Sequence, residues 1–141
     1  MESRIREIVV LVGIPGSGKT TIARKSFGKH SRVSLDALGT RSKERMEIRR
    51  ALIADESLVI DNTNSTRKAR RRYIDFAKEF GVPVRAVFVK CPLDKALERN
   101  RSRFGKEFVP EKALKMYYGI LEEPQEDEGF ESVEVIETGT G

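Results

Sequence analysis

The octapeptide Gly13-Ile14-Pro15-Gly16-Ser17-Gly18-Lys19-Thr20 constrains this chain more than any other stretch, because the pattern G-x-x-x-x-G-K-[ST] works only as the turn between a strand and a helix. Both neighbours are present. Ile8-Val9-Val10-Leu11-Val12 is an unbroken apolar run rich in β-branched residues, the pattern of a strand covered on both faces, and Thr21-Ile22-Ala23-Arg24-Lys25 can continue as a helix. Glycines in the turn let backbone N–H groups face phosphate oxygens at the positive end of that helix. Lys19 adds a mobile cation, and the Thr20 hydroxyl is a hard-oxygen ligand for Mg²⁺. Residues Gly13 to Thr21 are therefore read as a site for a nucleoside triphosphate such as ATP.

Downstream, strands and helices alternate. The spacing predicts a short strand at Arg32-Val33-Ser34-Leu35, a helix from Arg41 to Ile53, and a strand at Leu58-Val59-Ile60. Ser65 or Thr66 can cap a helix running to about Phe80, which Gly81-Val82-Pro83 stops. Val84 to Val89 reads as a fourth strand, Leu93 to Arg103 and Pro110 to Leu121 as helices, and Ser132 to Ile136 as a last strand. Strands separated by helices imply an α/β fold with a parallel sheet of about five strands and helices on both faces. Ligands in such sheets bind beyond the carboxyl ends of the strands.

A chain of 141 residues without repeats or linkers is expected to form one domain, residues 1–141. The charged start Met1-Glu2-Ser3-Arg4 and the shortness of the first apolar run predict neither a signal peptide nor a membrane span, hence a cytoplasmic protein without a membrane partner. Cys91 is the only cysteine, which excludes an intramolecular disulfide; at a strand end it reads as a packed thiol rather than a nucleophile. The formal charge of +5 and the pI near 9.5 point weakly to a polyanionic partner. Two basic clusters stand out, Arg67-Lys68-Ala69-Arg70-Arg71-Arg72 and Arg99-Asn100-Arg101-Ser102-Arg103 with Lys106 beyond. A solvated helix face is the usual meaning of such a run and is the expectation for the first.

The strand-end rule selects two carboxylates, Asp36 after the second strand and Asp61 after the third. Asp61 suits the acidic group that organises Mg²⁺ opposite Thr20, although Asn62, Thr63 and Asn64 after it are also turn formers. Asp36 either takes the proton of an attacking hydroxyl or caps a helix starting at Ala37. In the second cluster, Arg99 and Arg103 are four residues apart, so on the predicted helix their guanidinium groups project from one face and could close together on a phosphate, which would make that helix a lid. Arg101 would point elsewhere, and Gly105 would serve as hinge or helix stop. Phe104, Phe108, Tyr117 and Tyr118 are expected to pack inside for the most part, with base stacking as the other use. The acidic stretch Glu122 to Glu128 is expected to be a solvated loop.

Together these motifs resemble the polynucleotide 5′-hydroxyl kinases, especially the kinase module of eukaryotic polynucleotide kinase-phosphatases. The resemblance rests on the phosphate loop, Asp36-Ala37-Leu38-Gly39, Val59-Ile60-Asp61-Asn62-Thr63-Asn64, Arg99 to Arg103, Val109-Pro110, Met116-Tyr117-Tyr118-Gly119 and Glu128-Gly129-Phe130-Glu131. It implies a P-loop kinase fold with a helical lid, in which Lys19 and Thr20 hold donor phosphates and metal and Asp36 is the general base. It likewise implies that Arg99 and Arg103 are lid arginines, that Asp61 lies near Mg²⁺, and that the partner is DNA or RNA with a 5′-OH end. Two departures follow. The phage enzymes carry an arginine three residues after the base, where this chain has Gly39, so another group must hold the acceptor phosphate. The Asp-x-Asp-Gly-Thr signature of the partner phosphatase is also missing, so no phosphatase activity is expected.

Overall fold

Five strands form one wholly parallel sheet in the order β2-β3-β1-β4-β5 in this computed structural model, which describes residues 6–139 apart from the side chain of Lys106. The expectation drawn from Met1 to Arg4, and any role for the Lys106 side chain, fall outside the described residues. The strands are β1 (Ile8–Val12), β2 (Ser31–Val33), β3 (Leu58–Asp61), β4 (Val84–Lys90) and β5 (Val133–Glu137). The helices are α1 (Lys19–Ser26), α2 (Leu35–Leu38), α3 (Arg41–Ile53), α4 (Arg67–Phe80), α5 (Leu93–Arg101) and α6 (Glu111–Ile120). Short 3₁₀ turns at Gly105–Glu107 and Glu126–Glu128 complete the pattern. Among the described residues no helix is long and apolar enough to cross a membrane.

Every residue of β1 is buried, as an apolar β-branched run at the centre of a two-sided sheet requires. Alternation then divides its side chains. Ile8, Val10 and Val12 join a core with Ile48, Ala51 and Leu52 of α3 and Tyr73, Ile74 and Ala77 of α4, whereas Val9 and Leu11 pack with Ala23 and Phe27 around α1. A third cluster carries the functional geometry: Ile14 of the phosphate loop meets Cys91, Ala96 of α5 and Leu114 of α6. Leu114 is fully buried there, which stabilises the covering helices by about 2 kcal/mol. Cys91 is a packed thiol, as expected.

Helix limits follow local chemistry in several places. Thr40 and Thr66 cap α3 and α4, their side chains accepting from the N–H groups of Lys43 and Ala69 at 3.1 Å. Gly81 ends α4 at φ +64°, a left-handed conformation that glycine adopts without strain. Two limits differ from the sequence reading. The second strand ends at Val33, and Leu35 and Asp36 lie in the single turn of α2. Helix α5 stops at Arg101 with Ser102 as its C-cap, so Arg103 lies beyond the helix and Gly105, at φ +57°, opens the following 3₁₀ turn instead of ending a helix.

Candidate active site

Between β1 and α1 the loop Gly13–Gly18 turns through two left-handed glycines, Gly16 (φ +84°) and Gly18 (φ +105°). At Gly16 a side chain is excluded doubly, because a Cβ there would lie 2.8 Å from the carbonyl oxygen of Ala96 on α5. Gly18 is the N-cap of α1 and provides no side-chain cap, leaving the first N–H groups of the helix without that partner. The Ser17 hydroxyl is buried and has no hydrogen-bond partner among the described residues. This donor-rich cradle suits phosphate oxygens. Lys19 is buried, and its Nζ donates to the carbonyl oxygens of Gly13 (2.8 Å) and Ile14 (3.0 Å). Burial pushes its pKa down to about 8; Asp61 and Asp36 oppose that shift and Arg103 adds to it. Lys19 and Thr20 open α1 side by side, and the Thr20 hydroxyl bonds Asp61, so the cation and that carboxylate share one place.

The segment Asp61-Asn62-Thr63-Asn64 holds that place together, one residue at a time. Asp61, 7% exposed, accepts from the Thr20 hydroxyl at 3.1 Å and from Arg32 Nε at 2.8 Å on the same oxygen. The Thr63 carbonyl accepts from Gly13 N–H at 3.1 Å, and Asn64 Nδ2 donates to Leu11 O at 2.8 Å, so both ends of the loop entry are fixed. Asn62 reaches the other way. Its Oδ1 accepts from the Leu35 N–H at 2.9 Å, the first amide of α2, while its Nδ2 donates to Tyr73 OH (3.0 Å) and Glu44 Oε2 (3.2 Å). The segment therefore does more than turn the chain: it ties the phosphate loop to β3 and α2.

Glu44 is fully buried and is satisfied by Tyr73 OH (2.9 Å), Arg41 (3.2 Å), Arg72 (3.0 Å) and Asn62. Burial, reinforced by Glu44, pushes the Tyr73 phenol up to about 12, so it remains a donor at any physiological pH. Through Asn62 this network anchors α2, and α2 carries Asp36. Asp36 does not cap a helix at Ala37: the N-cap is Ser34, and Asn62 satisfies the first amide. The Asp36 side chain is exposed and has no hydrogen-bond or ion-pair partner among the described residues.

Helices α5 and α6 cover the loop. Arg99 Nη1 donates to the carbonyls of Gly16 (3.2 Å) and Ser17 (3.1 Å), and Thr138, just past β5, donates from its hydroxyl to the same Ser17 carbonyl at 2.5 Å. A cavity of about 350 Å³ opens beside them, lined by Lys95, Glu98, Arg99, Ser102 and Gly139. Arg103 is near the loop for a different reason from the expected helical spacing. Asn100, 2% exposed, exchanges two hydrogen bonds with the backbone of Val109 (2.6 and 2.9 Å) and so closes the segment 101–108 into a loop. Arg101 points away, as expected, facing Glu111 at 3.5 Å.

Several expectations need correction. Arg70 of the first cluster is not on a solvated face: it is fully buried, paired through two bonds with Glu128 (2.9 and 2.8 Å) and bonded to the carbonyls of Asn64 (2.8 Å) and Glu122 (3.0 Å). Arg72 pairs with Glu44 and Arg67 with Asp127, leaving Lys68 and Arg71 exposed. Within the acidic stretch 122–128 the Glu128 side chain folds onto α4, because a buried guanidinium needs a carboxylate, while Glu122, Glu123, Glu126 and Asp127 are solvent-exposed as expected. Phe104, Phe108 and Tyr118 are 86%, 46% and 47% exposed, not packed, since the closed loop and α6 offer them no apolar neighbour. Arg32, Glu44 and Asn100 gave no sequence signal, because their partners lie in other elements or across a loop.

Thr20 and Asp61, side by side beneath the cradle, form a hard-oxygen pair that suits Mg²⁺, which takes one or two protein ligands and completes its shell with phosphates and water.

A model of the AAA domain matches residues 39–124, a span that begins downstream of the phosphate loop, so the loop and the match are separate observations. The chain is 36% identical over 140 residues to a bifunctional polynucleotide phosphatase/kinase of Schizosaccharomyces pombe, with 96% of this chain and 34% of that protein covered. It therefore spans about a third of that relative's length. Among solved structures, a fungal RNA kinase superposes with a TM-score of 0.68 at 19% identity, covering 95% of this chain and 38% of that one. A sugar kinase of Janibacter sp. HTCC2649 superposes equally well, TM-score 0.68 at 22% identity, covering 98% and 88%. The fold is that of P-loop kinases, and by itself it does not choose between a sugar and an RNA acceptor.

Proposed function

Because the chain belongs to the AAA domain family and carries a phosphate loop ahead of the matched span, we propose that residues 1–141 form one kinase domain transferring the γ-phosphate of ATP to the 5′-hydroxyl of DNA or RNA, with Mg²⁺. The polynucleotide acceptor is inferred from the Schizosaccharomyces pombe relative. The observation that carries the chemistry is the exposed Asp36 carboxylate, without a protein partner among the described residues, on a helical turn that Asn62 ties to the end of β3.

In this reading Gly13 to Thr21 wrap the donor phosphates, with Lys19 turning its ammonium from the loop carbonyls to the phosphate oxygens. Thr20 and Asp61 would hold Mg²⁺ and its waters, and the ion would supply charge neutralisation for the donor phosphates. Asp36 accepts the proton of the 5′-hydroxyl as its oxygen forms a bond to the γ-phosphorus, and the bond from that phosphorus to the bridging oxygen of ADP breaks in line. Arg99 and Arg103 meet the charge of the transferring group. The donor base fits the cavity beside Arg99 and Gly139.

Transfer of radiolabelled γ-phosphate to 5′-hydroxyl DNA and RNA oligonucleotides, compared with 3′-mononucleotides and sugars, tests the reading. Oligonucleotides are expected to be labelled fastest. Preferential labelling of a free sugar or nucleoside would replace the polynucleotide acceptor by a small molecule.

A further inference from the structure

The segment 101–108 presents something the chemistry above does not use. Its backbone is held on both sides: Asn100 clips its ends together through Val109, Arg103 donates to Glu107 O at 3.3 Å, and the Phe104 carbonyl accepts from Glu107 N–H at 3.2 Å. From this fixed loop Phe104 projects with 86% of its surface exposed, and Phe108 with 46%. A single exposed aromatic is ordinary. Two on one clipped loop, directly after Arg101 and Arg103, are a different matter. The loop leaves α5 beside the phosphate loop, where Arg99 donates to the carbonyls of Gly16 and Ser17 and Ser102 lines the neighbouring cavity. Phe104 has no part in the cavity assigned to the donor base, whose lining comes from α5, Ser102 and the segment after β5.

We propose that Phe104 is a stacking platform for a base near the 5′ end of a single-stranded acceptor, with Arg101 beside its backbone phosphates. The assignment rests on the polynucleotide reading above and deepens it. A ring held outward and bordered by guanidinium groups matches the chemistry of a single strand, apolar base face and anionic backbone together, better than it matches a sugar or another protein's apolar patch. Glu107 and Glu111 are the acidic residues of this stretch, and Arg101 pairs with Glu111 at 3.5 Å. Gly39 provides no side chain for the acceptor phosphate, so the grip comes from this loop. Stacking is sequence-tolerant, because every base has a π-face, which suits an enzyme acting on chain ends.

The chain contains no tryptophan, so Phe104→Trp installs a single indole probe. Its emission is expected to be quenched by a 5′-hydroxyl oligonucleotide and unchanged by an abasic strand of equal length. In steady-state assays, Phe104→Ala is expected to raise KM for the oligonucleotide roughly 5- to 100-fold, leaving KM for ATP and for a 3′-mononucleotide unchanged, while Phe104→Trp retains oligonucleotide use. An unchanged oligonucleotide KM in Phe104→Ala, with wild type labelling oligonucleotides, overturns the platform and leaves the kinase reading standing. A raised KM for ATP alone would place Phe104 at the donor, and a change of oligomeric state in Phe104→Ala would place it against a second copy of the chain; either result overturns the proposal. A wild-type protein that labels only small molecules removes the polynucleotide reading and the platform with it.

Discussion

The two arginine clusters look alike in sequence and behave as opposites in the fold. In Arg67 to Arg72, on α4, Arg70 is enclosed with Glu128, Arg72 with Glu44 and Arg67 with Asp127. In Arg99 to Arg103 no arginine has a carboxylate nearer than the 3.5 Å between Arg101 and Glu111, and Arg99 instead lies on the phosphate loop. The difference lies in what covers each helix. Residues 122–128 lay a row of carboxylates across α4, whereas the end of α5 faces only backbone carbonyls and the cleft. Basic runs are neutralised where an acidic segment folds back over them, and they remain available for an anionic ligand where none does.

Variants can break or sharpen that contrast. The largest effect on rate is expected outside both clusters and sets the scale: Asp36→Asn should slow transfer by about 10²- to 10⁴-fold with ATP affinity nearly unchanged. Turnover near wild type in a label-transfer assay would remove the base from α2. Within the first cluster, Arg70→Met should destabilise by about 3–5 kcal/mol, because it leaves Glu128 buried and unpaired, while activity per folded molecule persists. Thermal melting is the measurement, and restoration in Arg70→Met/Glu128→Leu would confirm that the pair, rather than the site, was lost.

In the second cluster, Arg99→Ala and Arg103→Ala should each lower kcat by about 10²- to 10³-fold with little change in melting temperature, and Arg101→Ala should be milder. Were Arg101→Ala the most damaging, the orientation of the closed loop would be wrong. Lys19 gives a smaller, pH-dependent effect. Only its protonated form draws phosphate, and in the free protein it loses the proton near pH 8, so ADP affinity should fall up to about tenfold between pH 7 and pH 9 by calorimetry. Lys19→Arg should flatten that profile. The linked stability has the opposite slope: the unfolded chain holds this proton to higher pH, so the penalty of burying a charged Lys19 is full below about pH 8 and fades as pH rises towards 10.5. The smallest effect belongs to the exposed remainder of the first cluster. Lys68→Gln/Arg71→Gln should leave melting temperature and oligonucleotide KM unchanged at physiological salt. A clear rise in that KM would bring α4 back into the acceptor path.

How much was legible follows from the range of each interaction. The phosphate loop, the buried β1, the cap at Ser65 or Thr66, which the structure assigns to Thr66, and the glycine stop at residue 81 depend on residues within a few positions of one another, so pattern and turn chemistry are enough to locate them. Asp61 was legible for the same reason, as a carboxylate at the end of an apolar run. The ends of β2 and α5 were misjudged by two residues each, where Asn62 and Asn100, rather than local propensity, terminate the element.

The sequence by itself determined an α/β chain with a nucleotide site between its first strand and first helix, because those features are written in periods of two and of three to four residues. Only the tertiary structure decided which charges are free. Arg70 meets Glu128 across 58 positions, Arg32 meets Asp61 across 29, and Arg99 meets the Ser17 carbonyl across 82. A side chain's charge is the same in every context; its desolvation and its partner are not, and both arise only when distant segments pack.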